Sequence, residues 1–471
     1  MSRHKIVLYN PHAVFWTMPL GLLAVGSALD PDHFDVKIVD ARLEADALAA
    51  VLAEAGDALC LGMTVLTGAP IRDALMVTRA VKAARPDLPI VWGGWHPSLF
   101  PRECLAEPAV DAVVRGQGEE SFAEIVERYA AGRDLAGIAG VTWRDTRGQI
   151  ISNIPRPLRN VNALPAMNYD LIPVEAYFAR KDKRQFDYIS SIGCRFRCAF
   201  CADPFVYRRG WYGLTPERMA SELGALWQRY RFSEIAFQDE TFFTSAPRVA
   251  DISHAFIAAG LDASWTATMR ADQGARLPGD TLTLARQAGL RRVMVGVEAG
   301  TDEMLKRIKK DITIAQVFDT AEKLARNDIG AIWNFIVGFP DEPDESFEAG
   351  LAVAKRLREM SDDFEVAIFF YRPYPGNDIA DGLAATYPFP TTLDEWADFD
   401  YVGSTGPWVT PDKQARVERF KFYQKYAYGR HTHPLARPLQ TVARWRVERD
   451  FYRWPVEQRL VEALYPVPRL A

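Results

Sequence analysis

Short apolar runs alternate with amphipathic stretches through the first third of the chain. Lys5–Tyr9, Phe34–Val39, Ala58–Met63, Ile90–Trp92 and Ala112–Val114 read as strands, because brief, nearly continuous apolar runs bounded by turn residues suit strands covered on both faces. Helical periodicity separates them at Leu20–Leu29, Leu43–Ala55, Ile71–Ala84 and Ser121–Ala131. Strand–helix alternation at this pitch predicts an α/β domain over residues 1–135, a doubly wound, Rossmann-like parallel sheet. Sheets of this kind take ligands beyond the carboxyl ends of their strands, where glycine turns let a ligand approach the backbone. The turns in question are Gly62-Met63-Thr64, Gly93-Gly94-Trp95-His96-Pro97 and Arg115-Gly116-Gln117-Gly118-Glu119. No G-x-G-x-x-G follows the first strand, so a dinucleotide site has no support.

Residues 136–185 read as a hairpin, with Val141–Arg144 and Gln149–Ser152 around Thr146-Arg147-Gly148, followed by a proline-containing linker. A second alternating series fills residues 186–384. Its strands are Asp187–Ser191, Glu234–Gln238, Ser264–Met269, Arg292–Val297, Ala331–Val337 and Glu365–Tyr371, with helices at Pro216–Tyr230, Pro247–Ala259 and Ile314–Asn327. Six strand–helix units predict a partial (β/α)6, TIM-like barrel with its site at the strands' carboxyl ends. Residues 385–471 read as a mainly helical cap, in which Trp396, Phe399, Tyr401 and Trp408 either meet a sizeable, partly apolar substrate or pack as core.

Composition narrows the class. The 471 residues are 48% hydrophobic and 25% charged, values of a globular protein. No run of apolar residues is long enough for a transmembrane helix, and the start MSRHKIVLYNP lacks the apolar core of a signal peptide. Five cysteines are too few for a disulfide scaffold, so a cytoplasmic protein is expected. The net charge of −5 conceals an asymmetry: residues 412–471 hold 13 Lys/Arg against 6 Asp/Glu. That basic tail, with Trp445, Arg446, Phe451, Tyr452, Arg453 and Trp454, reads as a solvated amphipathic cap or as a peripheral membrane contact; no DNA partner is expected.

The strongest chemical signal is Cys194-Arg195-Phe196-Arg197-Cys198-Ala199-Phe200-Cys201, placed after the first strand of the second series. Three thiolates on one tight loop suit a four-iron cluster that keeps one iron open. A structural zinc would need a fourth ligand, and the local sequence supplies none. Cys60 and Cys104 read as small apolar core residues.

This C-x-x-x-C-x-x-C motif, with Phe200 before the last cysteine, resembles the radical S-adenosylmethionine superfamily. The resemblance implies a [4Fe-4S] cluster on Cys194, Cys198 and Cys201, S-adenosylmethionine held at the open iron, and reductive cleavage to a 5′-deoxyadenosyl radical that takes hydrogen from a substrate. It implies cofactor contacts at successive strand ends: Asp239 and Glu240, which a helix N-cap pair would also explain; Arg270, which a salt bridge with Asp272 would also explain; then Glu298, Gly338 and Tyr371. A preceding strand–helix domain resembles the cobalamin-binding domain of the cobalamin-dependent subclass, which implies corrin contacts at Gly62, Thr64, Gly93, Gly94, His96, Gly116, Gly118 and Glu119. The Asp-x-His-x-x-Gly motif that supplies a histidine to cobalt in other cobalamin enzymes is missing.

The expected activity is methylation of an unactivated carbon of a small molecule, with lipid and tetrapyrrole as substrate classes and flavodoxin or ferredoxin as electron donor. A cyclase or oxidative enzyme of the anaerobic magnesium-protoporphyrin ester cyclase or hopanoid-tailoring type is the alternative. A non-catalytic cobalamin or cluster sensor is the reading from another class. Methylthiolation expects a second cysteine triad, and only Cys60 and Cys104 stand in the first domain.

Overall fold

The computed structural model describes residues 3–399, 405–429 and 436–464. It divides into two compact units: Met1–Glu240 with Tyr374–Val402, and Thr241–Pro373 with Gly403–Ala471.

The first unit opens with β1 (His4–Asn10), α1 (Leu20–Ser27), β2 (Phe34–Asp40), α2 (Ala47–Ala55), β3 (Cys60–Thr64), α3 (Ala69–Ala84), β4 (Ile90–Gly93), α4 (Trp95–Leu99), α5 (Pro101–Cys104), β5 (Ala112–Val114), α6 (Glu119–Ala130), β6 (Val141–Arg144) and β7 (Ile150–Ser152). The sheet order is β2-β1-β3-β4-β5-β6-β7. The first five strands are parallel, while β6 and β7 add antiparallel. The expected hairpin is present as β6 and β7, and it forms the edge of this sheet. Alternation along β1 explains the two-sided core. Ile6 and Leu8 face a cluster holding Leu22 of α1 and Phe122 and Ile125 of α6. Val7 and Tyr9 face Val51 of α2 and Ile71 and Leu75 of α3. Cys60 and Cys104 are fully buried in these two clusters, and burial raises both thiol pKa values.

The stretch expected as linker carries a helix, α7 (Val174–Lys181), anchored by buried Val174, Tyr177 and Phe178. Its Tyr177 hydroxyl donates to Asp40 Oδ2 at 2.5 Å. Then come β8 (Gln185–Tyr188), β9 (Ser191–Gly193), α8 (Asp203–Val206), β10 (Trp211–Gly213), α9 (Pro216–Tyr230) and β11 (Glu234–Phe237). β11 lies parallel to β8, and β10 pairs antiparallel with β9. Thr215 caps α9 by accepting from the Arg218 amide, with Pro216 in the first turn, which is why this boundary was readable from sequence.

The second unit contains α10 (Ala246–Ala258), β12 (Ser264–Arg270), α11 (Ala271–Arg276), α12 (Gly279–Gln287), β13 (Leu290–Glu298), α13 (Asp302–Arg307), α14 (Ile314–Arg326), β14 (Gly330–Val337), α15 (Asp344–Met360) and β15 (Phe364–Phe370). Strands β12 to β15 pair in order, all parallel. A Thr313/Gln316 capping box starts α14.

The chain then returns to the first unit with α16 (Asp378–Leu383) and α17 (Leu393–Ala397), and ends in the second with α18 (Pro411–Ala427), α19 (Ala436–Glu448) and α20 (Val456–Leu464). The return favours core packing over substrate contact for Trp396 and Phe399. Trp396 and Phe399 are buried in the core beside α3, and Trp396 Nε1 donates to Glu103 Oε2 at 3.0 Å, so both are packing residues of the first unit. Tyr401 lies outside the described residues. In the basic tail, Arg446 is buried on Glu457 and Arg416 pairs with Glu348 and Asp450, whereas Trp445 and Trp454 are exposed. No described helix is long and apolar enough to cross a membrane.

Candidate functional site

The cysteine loop is a closed excursion between paired strands. β9 and β10 bring Gly193 opposite Trp211, and everything from Cys194 to Gly210 projects from that junction. Gly193 has φ of +85°, and a Cβ there would collide with the Gly210 carbonyl, so only glycine fits. The Cys201 amide donates to the Cys198 carbonyl at 3.2 Å, the Arg209 Nε donates to the Arg195 carbonyl at 3.1 Å, and the Ile379 amide donates to the Ala199 carbonyl at 3.0 Å. Burial, with Asp203 nearby, raises the Cys201 thiol pKa, and burial pushes Asp203 up to about 6. Among the described residues no three His, Cys, Asp or Glu side chains converge closely enough for a single metal ion.

Asp239 has a task other than the expected cofactor contact. It is buried, accepting from the Ser190 amide at 2.7 Å and from the Ser190 and Ser191 hydroxyls, both at 2.6 Å. Three donors on one carboxylate fix the chain just before the cysteine loop, making Asp239 a positioning residue. Its neighbour Glu240 differs. Its Oε2 is buried without a hydrogen-bond partner, and burial first, then Asp203, pushes its pKa up to about 8. Backbone hydrogen bonds from Glu240 and Gly193 pull the other way, so the open Oε2 is the part of this carboxyl left for a ligand donor.

Glu240 lines a cavity of about 570 Å³ within the first unit. The cavity begins at the carboxyl ends of β1, β3, β4 and β5, where the strand order reverses direction between β1 and β3. Gly62, Thr64, Gly93, Gly94, Gly116, Gly118 and Glu119 all line it, and so do Tyr188–Ile192, Tyr207 and Gln238 from the cluster-bearing segment. Gly94 has φ of +96°, and a Cβ there would meet Thr64 Oγ1 at 2.7 Å, so the turn needs glycine. An apolar, glycine-edged crevice fits a flat macrocycle approached by backbone.

His96 does not join the cavity. It is fully buried, with Nδ1 3.2 Å from Thr67 Oγ1 and its ring 5.3 Å from Phe100 and 5.5 Å from Trp396. Burial pushes its pKa down to about 3. The turn directs its backbone to the crevice and this side chain into the core. No histidine is among the described residues lining the cavity.

In the second unit the strand ends carry charge. Arg270 is buried, with Nε on Asp272 Oδ1 at 3.0 Å and Nη2 donating to the Lys310 carbonyl. Glu298 sits at a register shift of β13 with φ of +73°, a backbone region unusual for this residue. Its Oε1 accepts from Lys310 Nζ at 2.7 Å, with both side chains buried. A Cβ at Gly296 would strike Glu298 Oε1 and meet Lys310 Nζ at 2.7 Å, which explains that glycine. Lys310 is the residue sequence reasoning missed. It joins two strand ends from a loop whose flanking Lys309 and Asp311 both have positive φ, and nothing in its local sequence announces this. Gly338, at φ +77°, donates its amide to Glu342 at 2.6 Å. Tyr371 is buried with its ring 4.8 Å from Phe339 and 6.0 Å from Trp408.

Comparison with known proteins agrees with this anatomy. The model of the B12 binding domain matches residues 10–126, and that of the Radical SAM superfamily matches residues 188–352. The uncharacterized methyltransferase PH0819 of Pyrococcus horikoshii is 35% identical over 366 residues, covering 76% of this chain and 76% of that protein. The anaerobic magnesium-protoporphyrin IX monomethyl ester cyclase of Synechocystis is 26% identical, covering 70% of this chain and 66% of that protein. In fold, the chain resembles the cobalamin-dependent S-adenosylmethionine radical enzyme OxsB, with a TM-score of 0.75 at 16% identity over 99% of this chain and 73% of that one. The chain belongs to the cobalamin-dependent radical S-adenosylmethionine enzymes, and its cofactors are a [4Fe-4S] cluster, S-adenosylmethionine and cobalamin.

Proposed function

We propose that this enzyme methylates an unactivated carbon of a sizeable, partly apolar small molecule. The observation that carries the reading is the cavity lined both by the glycine turns of the B12-binding domain and by residues flanking the cluster loop, since methyl transfer to a carbon radical needs both cofactors at one place. The methyltransferase at 35% identity supports it. When bound, the cluster supplies an electron to S-adenosylmethionine and cobalamin carries the methyl group.

The chain's residues then have these tasks. Cys194, Cys198 and Cys201 hold the cluster. Asp239 fixes the strand exit that presents them. Glu240, whose Oε2 is left open at the cavity, would accept a hydrogen bond from the amino group of S-adenosylmethionine. In the second unit, Arg270, which the structure pairs with Asp272, would meet a carboxylate, while Glu298, aimed by Lys310, would accept from hydroxyls. Gly338 and Tyr371 bound the adenine side. The glycine turns with Thr64 and Glu119 seat the corrin, whose amide rim needs donors and acceptors more than charge.

The apolar lining of the cavity, with Leu20, Leu22, Val25, Leu66 and Trp95, suits a lipid or tetrapyrrole substrate, with flavodoxin or ferredoxin as reductant. The exposed Trp445 and Trp454 suit a cytoplasmic enzyme that works beside a membrane. The cyclase at 26% identity keeps ring formation or oxidation as the second reading. Anaerobic reconstitution with iron, sulfide and hydroxocobalamin, followed by product mass analysis, separates the two. A gain of one methyl per turnover supports methylation. An unmethylated, cyclised or oxidised product supports the second reading, and binding of iron without cobalt defeats the methyl-transfer scheme.

A further inference from the structure

A second cavity of the first unit, about 310 Å³, shares Ser98, Gly116, Gln117, Val206 and Tyr207 with the one described above. Its wall is cationic. Arg115, Arg156 and Arg208 line it, and no Asp or Glu is among its described lining residues. Arg156 is neutralised inside the chain, by Glu120 at 3.1 Å and Glu124 at 2.6 Å. The other two are not. Arg115 gives its Nη2 to a neutral partner, the Asn153 carbonyl at 2.6 Å, and its Nε is buried with no acceptor. Burial first, and the Arg208 charge second, pull the Arg115 pKa below the usual guanidinium value. Arg208 follows α8 in a left-handed backbone conformation, φ +50°, and stays exposed at the pocket. Two like charges near each other, one with a buried unsatisfied donor, form an arrangement that an anion would stabilise.

We propose that this pocket is an anion subsite that takes a phosphate-type group beside the corrin cavity, with Arg115 and Arg208 as its charge-assisted donors. Planar guanidinium groups match tetrahedral oxyanions in two-point contacts. Such a group has two sources: a phosphate or phosphonate on the substrate, or the phosphodiester of cobalamin's nucleotide tail. Only the first source rests on the methyl-transfer reading, and no readout below uses turnover, so failure of that reading leaves the result intact.

The test titrates the cluster- and cobalamin-loaded enzyme with inorganic phosphate by calorimetry, for wild type, Arg115→Gln and Arg208→Gln. In parallel, cobalamin-free protein is titrated with hydroxocobalamin and with cobinamide, which lacks the nucleotide and its phosphodiester. Phosphate binding to the loaded wild type that weakens about tenfold or more in each variant, with cobalamin affinity unchanged, establishes a substrate subsite. Loss of about tenfold in affinity for cobalamin but not cobinamide, with no phosphate binding to the loaded enzyme, establishes the phosphodiester as occupant. Phosphate binding equal in wild type and variants, or absent with cobalamin affinity unchanged, overturns the proposal. Arg208 is exposed, so Arg208→Gln keeps the fold even where Arg115→Gln loosens it.

Discussion

The two regions proposed to take the cofactors are built from opposite materials. The cavity of the first unit is edged by backbone: Gly62, Gly93, Gly94, Gly116 and Gly118 withdraw side chains so that a broad ligand can lie against the strand ends. The strand ends of the second unit are built from buried charge, with Arg270 on Asp272 and Glu298 on Lys310, the latter at a strained backbone position. A large, nearly neutral ring is recognised by shape and removed area, which glycine turns permit. A small zwitterion is recognised by charge, which must be placed and kept dry. The cysteine loop is held in a third way, by a strand junction and by three donors on Asp239.

The comparison can be broken by substitution. Cys198→Ala should have the largest effect, abolishing cluster binding and cleavage of S-adenosylmethionine; iron counts should fall from about four per chain, and retention of a full cluster would refute the ligand assignment. Next, Lys310→Met leaves Glu298 buried without its cation. The expected destabilisation is about 3–5 kcal/mol, read as a shift in denaturant midpoint, and Lys310→Arg should recover part of it. A smaller change would mean that water reaches Glu298.

On the backbone-built side, Gly94→Ala should cost about 1–3 kcal/mol from its positive φ and its close approach to Thr64. It should also weaken cobalamin binding while leaving the iron content intact. Equal loss of both cofactors would erase the division drawn above.

The last effect, absent at neutral pH and felt only on acidification, concerns His96. Its folded pKa of about 3 lies below the ordinary 6.5, so the native state binds fewer protons than the unfolded chain between those values. Its contribution is therefore present above pH 6.5 and is lost as pH falls through that window, at about 1.4 kcal/mol per pH unit. His96→Phe should flatten the fall of Tm with acidification, and an unchanged slope would show that His96 protonates in the folded protein.

Much of this was legible in the chain. Strand runs such as Ala112–Val114 and the helix Pro216–Tyr230 coincide with the observed elements, because apolar runs, a Thr cap and an N-terminal proline act locally. The helix Val174–Lys181 has the sequence pattern of a linker because only Val174, Tyr177 and Phe178 mark its buried face, and their partners are far off in sequence. Trp396 and Phe399 were read as substrate cap or core, and which of the two holds depends on a return to the first unit that no local pattern encodes.

The site divides along the same line. The cysteine spacing and the glycine turns are properties of a few adjacent residues, and the chemistry they permit follows from that adjacency alone. Whether a side chain at such a turn meets the ligand or the core does not. Asp239 and Glu240 are consecutive carboxylates, yet one is taken by Ser190 and Ser191 while the other keeps a dry oxygen at the cavity. His96 turns into the core beside Trp396, and Lys310 reaches Glu298 across a loop. Sequence determined the cysteine spacing, the two α/β series and the glycine turns, because these rest on local spacing and period. Tertiary structure decided which buried charges are paired and which remain open, because pairing depends on distances between residues that the chain brings together only when folded.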